Sequence, residues 1–258
     1  MIDEGRSAVP ALDRAARILG LISSRRSCSV QDLLSGTGIS RTTLYALLGA
    51  LQKAAFIRKR GDGRYVLWTA LAILGAQARA NIDLKGIAAP VLEELVKSSG
   101  CLSCYFGVMD GARACYAVKA SNPNGAIMAK SGEGMDVDLV HSGMGKCLLA
   151  FCGEDLRERL LPALDYARIT RNSVAGESEL RAQLEAFRRQ GFAFNDSEDD
   201  VEIRSLAVPA FTSGGTLIGA VSAVGTVNQF NGRKASELVP LMRKAAQEIS
   251  SAIEPFIK

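Results

Sequence analysis

The chain has 258 residues, 48% hydrophobic and 22% charged. These proportions fit a folded protein of one large or two modest domains and exclude wholesale disorder, a collagen-like fibre and a coiled-coil rod. No apolar run reaches the roughly 18 residues of a membrane helix. Met1-Ile2-Asp3-Glu4-Gly5-Arg6 lacks the apolar core of a signal peptide, so a cytoplasmic location with no membrane association is expected. The single histidine, His141, excludes metal sites or catalytic triads that need several. Cys28, Cys101, Cys104, Cys115, Cys147 and Cys152 read as reduced, mostly small core residues, because a chain of this length builds a core without staples. The net charge of +4 is unevenly spread. Residues 1–80 hold 12 Lys+Arg against 5 Asp+Glu, while residues 81–258 hold 19 against 22. A basic head on a mildly acidic body suggests a polyanion-binding module joined to a body of another kind.

In the head, Ala11, Leu12, Ala15, Ile18, Leu19 and Ile22 form one apolar stripe at helical spacing. Ser29 is placed to cap a short second helix, which Gly36-Thr37-Gly38-Ile39 is expected to break. Ser40 caps a third helix over residues 41–54. Its inward stripe is Leu44, Leu47, Leu48 and Leu51, and its outward first turns carry Arg41, Thr42, Thr43 and Tyr45. Two helices around a glycine turn, the second opening on polar groups, make a helix-turn-helix. Such a helix fits the major groove, where its first-turn side chains reach base edges. Phe56-Ile57-Arg58-Lys59-Arg60 and Arg64-Tyr65-Val66-Leu67-Trp68 flank Gly61-Asp62-Gly63 as a β-hairpin. The order is that of a winged helix-turn-helix. Ser40, Arg41, Thr42, Thr43 and Tyr45 are the expected contacts of the reading helix with DNA, with Arg58, Lys59, Arg60 and Arg64 on phosphates.

The expected domains are residues 1–69 for the winged helix-turn-helix, 70–99 for a helical linker and 100–258 for the body. Pro90 interrupts the second linker helix, so a break is expected near Ala89, with the domain joint there. From Cys101 the periodicity turns strand-like. Strands are expected over 101–109, 113–120, 126–130, 192–195, 203–211 and 216–224, and helices over 142–151, 154–161, 177–190 and 234–253. This is an α+β body, a sheet with helices on its faces.

Val140-His141-Ser142-Gly143-Met144-Gly145-Lys146-Cys147 leads through glycine-rich backbone into an apolar helix. Free amides at that helix start suit a small carboxylate, and Gly143 and Gly145 let a ligand approach closely. A P-loop is excluded, because Val140 stands where its first glycine belongs and Cys147 where its magnesium-binding hydroxyl belongs. Adjacent His141 and Ser142 do not make a nucleophile pair, and the G-x-S-x-G elbow is absent. No catalytic residue, metal site or cofactor is expected. Ser222 shares a strand face with Ile218, Ala220 and Val224, and Ser205 alternates with Ile203 and Ala207. A hydroxyl on such a face either bonds to backbone or awaits a partner. Asp196-Ser197-Glu198-Asp199-Asp200 reads first as a solvated loop, second as a clasp for a ligand or metal. In Cys101-x-x-Cys104, odd spacing on a strand sends the sulfurs to opposite faces, against chelation, and no helix N-terminus is expected there to lower a thiol pKa, against a redox role.

Taken together, these segments resemble the IclR family of bacterial transcriptional regulators over nearly the whole chain. Residues 11–19 resemble its opening helix, Gly38-Ile39-Ser40-Arg41-Thr42-Thr43-Leu44-Tyr45 its turn and recognition helix, and residues 142–150 its most recognisable stretch. Residues 180–193, 203–209 and 217–222 are similar to its long helix and last strands. The resemblance implies a helical linker and a GAF-like effector domain with a central antiparallel sheet. It implies a homodimer, or a homotetramer of paired dimers, on double-stranded operator DNA, and a small organic or aromatic acid as effector. It places effector contacts at Gly143, Met144, Asn195, Ser205 and Ser222. The chain departs from the family at Ala46, where an arginine or lysine is common, at Glu202, where a glycine is usual, and at His141, displaced by one position. The alternating Asp136 and Asp138 either disfavour a carboxylate ligand or face water. The function expected is a ligand-responsive repressor of a catabolic operon. The alternatives are a constitutive DNA-binding dimer whose body only oligomerises, and an enzyme using the effector pocket.

Overall fold

Pro10 opens α1 (Pro10–Arg25), where its missing N–H is no loss, and Arg26 in left-handed conformation (φ 62) closes it. α2 (Val30–Thr37) starts on a capping box. Ser29 Oγ accepts the Asp32 amide at 3.1 Å, and the Asp32 carboxylate accepts the Ser29 amide at 2.8 Å. The helix does not break at Gly36. A Cβ there would lie 2.5 Å from Leu21 Cδ2, so this glycine lets α1 and α2 approach, and Gly38 (φ +65) makes the stop. Ser40 caps α3 (Arg41–Lys53). β1 (Ile57–Lys59) and β2 (Tyr65–Leu67) pair antiparallel, and α4 (Thr69–Ala80) follows. A β-bridge from Cys28 to Tyr65 attaches the hairpin to the segment before α2.

The computed structural model describes residues 9–80, 83–125, 131–230 and 232–256. It forms two units, one up to residue 81 and one from residue 82. The first packs around Ile18, Ile22, Leu33, Ile39, Leu44, Leu48, Leu51, Ile57 and Tyr65. Leu12, assigned above to the inward stripe, is 67% exposed, because the core engages only the second half of α1.

α5 (Leu84–Ser99) runs unbroken through Pro90. Pro90 and Gly86, four residues earlier, are both exposed, so water reaches the carbonyl that the proline leaves without a donor. Ala88, Leu92, Leu95 and Val96 of α5 belong to the body's core, and the joint lies before this helix rather than at Ala89.

The body is a five-stranded antiparallel sheet in the order β4-β3-β7-β6-β5, made of β3 (Ser103–Asp110), β4 (Arg113–Ser121), β5 (Ala193–Asp196), β6 (Ile203–Phe211) and β7 (Leu217–Thr226). Strand alternation sorts the side chains into two cores. Cys104, Phe106, Leu206, Val208, Val221 and Ala223 face α5 and α9 (Gly232–Ile253). Tyr105, Ala207 and Ala220 face α6 (Gly143–Phe151) and α8 (Glu177–Gln190), with α7 (Glu154–Leu160) between these helices in sequence. A bulge opposite Ala210 and Phe211 adds a residue at Ile218. Ile218 thereby joins the α5–α9 core, and Ser222 keeps only Ala220 and Val224 of its expected face. The strand expected over 126–130 lies outside the described residues.

Cys101 and Cys104 do not point apart. Cys101 precedes β3, where strand alternation does not apply, and the sulfurs lie 3.3 Å from each other.

Replacing Ser29 by Ala removes the cap of α2. Stability is expected to fall by about 1 kcal/mol, seen as a lower urea midpoint at unchanged slope. An unmoved midpoint would contradict the capping assignment.

Candidate functional site

Two clusters carry chemistry, one in each unit. In the first, Gly38 turns the chain so that α3 presents Arg41, Thr42, Tyr45 and Ala46 to solvent. Ser40 Oγ accepts the Thr43 amide at 3.5 Å and donates to Thr43 Oγ1 at 2.9 Å, so both hydroxyls shape the helix start. Tyr45 stands 51% exposed on the outward face of α3. On the hairpin, the Arg58 guanidinium lies 4.5 Å over the Trp68 ring and Lys59 Nζ lies 5.9 Å from the Tyr65 ring, with Arg60 3.8 Å from Asp62. Arg64 departs from its expected role. Its guanidinium donates to Ser27 Oγ at 3.0 Å, to the Ser27 carbonyl at 3.0 Å and to Asp32 at 3.1 Å. It clamps the hairpin to the α2 cap, with its charge already matched by Asp32. Hydrogen bonds from Ser29 and the nearby Arg64 charge hold the Asp32 carboxyl below its ordinary range.

In the body, the glycine-rich turn is built by Asp138. Asp138 Oδ1 accepts the Val140 and His141 amides at 2.8 and 2.9 Å, Oδ2 receives His141 Nδ1 at 2.9 Å, and the Asp138 carbonyl accepts Ser142 Oγ–H. This settles the two aspartates. Asp138 folds into the turn, and Asp136 pairs with Arg113 at 2.9 Å in solvent. The amides expected to be free at the start of α6 are largely taken. Gly143 N–H donates to Ser205 Oγ at 3.3 Å, and Gly145 N–H to Ser142 Oγ at 2.9 Å. Both glycines are steric necessities. A Cβ on Gly143 would lie 2.6 Å from Ser205 Oγ, and one on Gly145 2.0 Å from the Asp138 carbonyl.

The structure thus brings Gly143, Asn195 and Ser205 together. Asn195 stands level with Ser205 in the sheet, and its amide donates to the His141 carbonyl and to Asp199 Oδ1 while its carbonyl accepts the Glu198 amide. It ties two loops and has little capacity left for a ligand. Met144 is 1% exposed, with its thioether packed where a Cβ on Gly107 would be, so its side chain is a core contact. Ser222, buried, lies level with Tyr105 and Ala207 on the α6 side of the sheet.

Sequence reasoning missed the most unusual group. Lys146 is fully buried; its ammonium donates to Glu198 Oε1 and, at 2.6 Å, to Gln183 Oε1. Burial pushes the Lys146 ammonium below its ordinary value and the Glu198 carboxyl above its own, and their mutual attraction opposes both shifts. The acidic run is solvated at Asp196 and Asp199, as expected, but not at its centre. Ser197 and Glu198 are buried, and Thr170 and Ser173 donate to their carbonyls. Among the described residues, two buried atoms here have no hydrogen-bond partner, His141 Nε2 and Glu198 Oε2. A cavity of about 380 Å³, lined by Val137, Asp138, His141, Leu164, Asp165 and Ile169 among others, borders His141. Tyr105 and Tyr116, ring centroids 4.9 Å apart, add a buried aromatic pair. Among the described residues no cluster of three or more His, Cys, Asp or Glu is arranged to hold a metal ion, and no helix is long and apolar enough to cross a membrane.

Residues 76–251 match the family model of the bacterial transcriptional regulator IclR C-terminal domain, and residues 11–61 match that of the IclR helix-turn-helix domain. The chain belongs to the IclR family of bacterial transcriptional regulators. It is 33% identical to the HTH-type transcriptional regulator RhmR of Escherichia coli K12, over 95% of this chain and 93% of that one. It is 25% identical to KdgR of the same organism (97% and 95%) and 24% identical to its transcriptional repressor IclR (95% and 90%). The fold matches a putative IclR regulator from Silicibacter with a TM-score of 0.84 at 21% identity, over 94% of this chain and 96% of the other. It matches an IclR homologue from Microbacterium hydrocarbonoxydans, complexed with 4-hydroxybenzoate, with a TM-score of 0.73 at 20% identity (95% and 99%). As an IclR-family member the chain is a DNA-binding regulator and not an enzyme.

The ion pair inside the IclR-type body gives a direct test. Lys146→Met leaves the Glu198 carboxylate buried without its counter-charge and is expected to cost about 3–5 kcal/mol. Lys146→Met with Glu198→Gln is expected to recover most of that loss in thermal unfolding. A double variant as unstable as the single one would show that charge matching is not what holds the loop.

Proposed function

We propose that the protein is a ligand-responsive regulator whose effector sits beside the Asp138–Lys146 turn. The observation that carries this reading is the pair of unpartnered buried atoms, His141 Nε2 and Glu198 Oε2, in one polar cluster. Buried polar atoms are satisfied with few exceptions, and a ligand atom between these two would satisfy both. His141 Nε2 and Glu198 Oε2 are polar atoms that a ligand hydroxyl can meet either as donor or as acceptor, so a hydroxyl suits that end. The effector class that fits is a small organic or aromatic acid bearing a hydroxyl. The complex of the Microbacterium homologue with 4-hydroxybenzoate, a hydroxylated acid, is in keeping with this chemistry. Ser222, Tyr105 and Tyr116 are the further groups available on the same side of the sheet.

On the DNA side, Arg41, Thr42 and Tyr45 are proposed to read the major groove, with Ser40 and Thr43 shaping the helix start that approaches phosphate. Arg58, Lys59 and Arg60 are proposed to lie on the backbone, and Arg64 to position the wing. Self-association as a homodimer or homotetramer fits the exposed Leu12, Ile73 and Leu74. Repression of a catabolic operon in the cytoplasm is the setting in which such an effector has meaning. The competing reading, a body that only oligomerises, draws on the internal satisfaction of Gly143, Asn195 and Ser205.

A thermal-shift comparison of paired acids, 4-hydroxybenzoate against benzoate and gluconate against hexanoate, tests the effector reading. The hydroxylated member is expected to stabilise by about 2.7 kcal/mol at 100 times its Kd. It is then expected to change affinity for promoter DNA by about 1–3 kcal/mol of coupling. Stabilisation by benzoate and hexanoate alone would overturn the assignment of a hydroxyl to that end.

For the DNA side, replacing Arg58, Lys59 and Arg60 together by Ala is expected to flatten the log K against log salt slope on a random duplex. The change is about 0.9 for each phosphate left without its cation. Tyr45→Ala is expected to lower discrimination between sequences with that slope intact. An unchanged slope in the wing variant would remove the wing from the interface.

A further inference from the structure

The cysteine pair at the start of the sheet has no part in DNA or effector binding. Cys101 and Cys104 are both fully buried in the core beneath α5 and α9, with their sulfurs 3.3 Å apart. The convergence comes from chain geometry. Gly100 (φ +67) ends α5 in left-handed conformation, and Cys101 and Leu102 cross to the sheet before β3 begins at Ser103. The Leu102 amide donates to the Val224 carbonyl and the Leu102 carbonyl accepts the Asn122 amide, each at 2.9 Å, so both sides of this crossing are fixed. A disulfide bond is about 2.05 Å long, so little more than 1 Å of side-chain rotation separates the two thiols from a bond. The other four cysteines, Cys28, Cys115, Cys147 and Cys152, are free thiols elsewhere in the fold.

We propose that Cys101 and Cys104 are a site of reversible modification, closing to an intrachain disulfide on exposure to hydrogen peroxide. Cys101 acts first. Its thiol is held below the ordinary value, chiefly by the Cys104 thiol as hydrogen-bond partner. Its thiolate attacks one peroxide oxygen, an S–O bond forms, the O–O bond breaks, and the departing hydroxide takes up the proton that Cys101 released. The Cys104 sulfur then attacks the sulfur of the sulfenic acid. The S–S bond forms, the S–O bond breaks, and water leaves with the Cys104 proton. Two thiols lose two electrons and one peroxide becomes two waters. A small dithiol reverses the reaction by exchange.

Access is through the end of α5, where helix opening is least costly. Gly100 is exposed and adjoins Cys101. Its amide donates to the Val96 carbonyl and its own carbonyl accepts Gln229 Nε2, both at 2.9 Å, so Gln229 latches this end shut.

The test uses the full-length protein, reduced, desalted and treated with hydrogen peroxide under native conditions. It is then unfolded, labelled with N-ethylmaleimide and weighed intact and after proteolysis. Four labels are expected on the six cysteines, with the losses at Cys101 and Cys104, and dithiothreitol should restore six. Gln229→Ala is expected to close the bond several-fold faster. Cys104→Ala, where it folds, should abolish the loss of paired labels; the wild-type measurement stands where it does not. Retention of six labels, losses at other cysteines, or losses that dithiothreitol does not reverse would each overturn the proposal.

Discussion

A lysine ammonium held entirely out of water imposes a condition on everything around it: its charge must be answered from inside the protein. In this body the answer comes from a glutamate 52 residues further along the chain and from a glutamine on the long amphipathic helix. Breaking one member of such a pair is far more costly than never having made it. The α6 turn, the α8 helix and the acidic loop therefore form as one arrangement. The smaller contacts follow from that condition. Asn195 ties the acidic loop to the His141 carbonyl, while Thr170 and Ser173 secure its other side. The polar cluster is therefore tied from several sides, and such a cluster can leave two of its atoms unanswered without collapsing onto them.

The DNA-binding unit relies on a milder version of the same device. The hairpin cations Arg58, Lys59 and Arg60 lie over aromatic rings or beside a carboxylate, which narrows the rotamers they sample. Ordering flexible arginine and lysine side chains is a standing cost of association, and in the proposed DNA contact part of that cost would be met in the free protein. Arg64 is the extreme case, because its bonds to Ser27 and Asp32 make the wing and the α2 cap one piece.

Much of the head was legible in the sequence because its signals are local. Ser29 and Asp32 are three residues apart, Gly38 and Ser40 bracket a turn, and the hairpin announces itself in Gly61-Asp62-Gly63. The body's strands and helices were legible for the same reason. What failed depends on distant partners. The run from Asp196 to Asp200 reads as solvated loop unless Lys146 is known to be waiting for it. Asn195 reads as a free amide unless the His141 carbonyl is placed beside it. The signal that was available is Lys146 itself, one charge in the otherwise uncharged stretch from Leu139 to Cys152. Pro90 misled because propensity describes a helix interior without saying whether the orphaned carbonyl faces water. Leu12 misled because periodicity gives the direction of a side chain but not the length of the core it meets. Cys101 misled because the alternation rule was applied two residues before the strand starts.

The glycines of the α6 turn carry a mechanical consequence. At Gly145 the backbone rests directly on the Asp138–Leu139 peptide, and at Gly143 it rests on the Ser205 hydroxyl with the Ser205 carbonyl just behind it. Elsewhere in a protein interior a methyl or a methylene rotates and absorbs a small displacement. Here a shift of the turn passes with little slack to Ser205, which belongs to β6. The opposite face of β6 is the floor on which α9 rests. A molecule that presses on one side of this sheet is therefore felt on the other as if through a stiff plate.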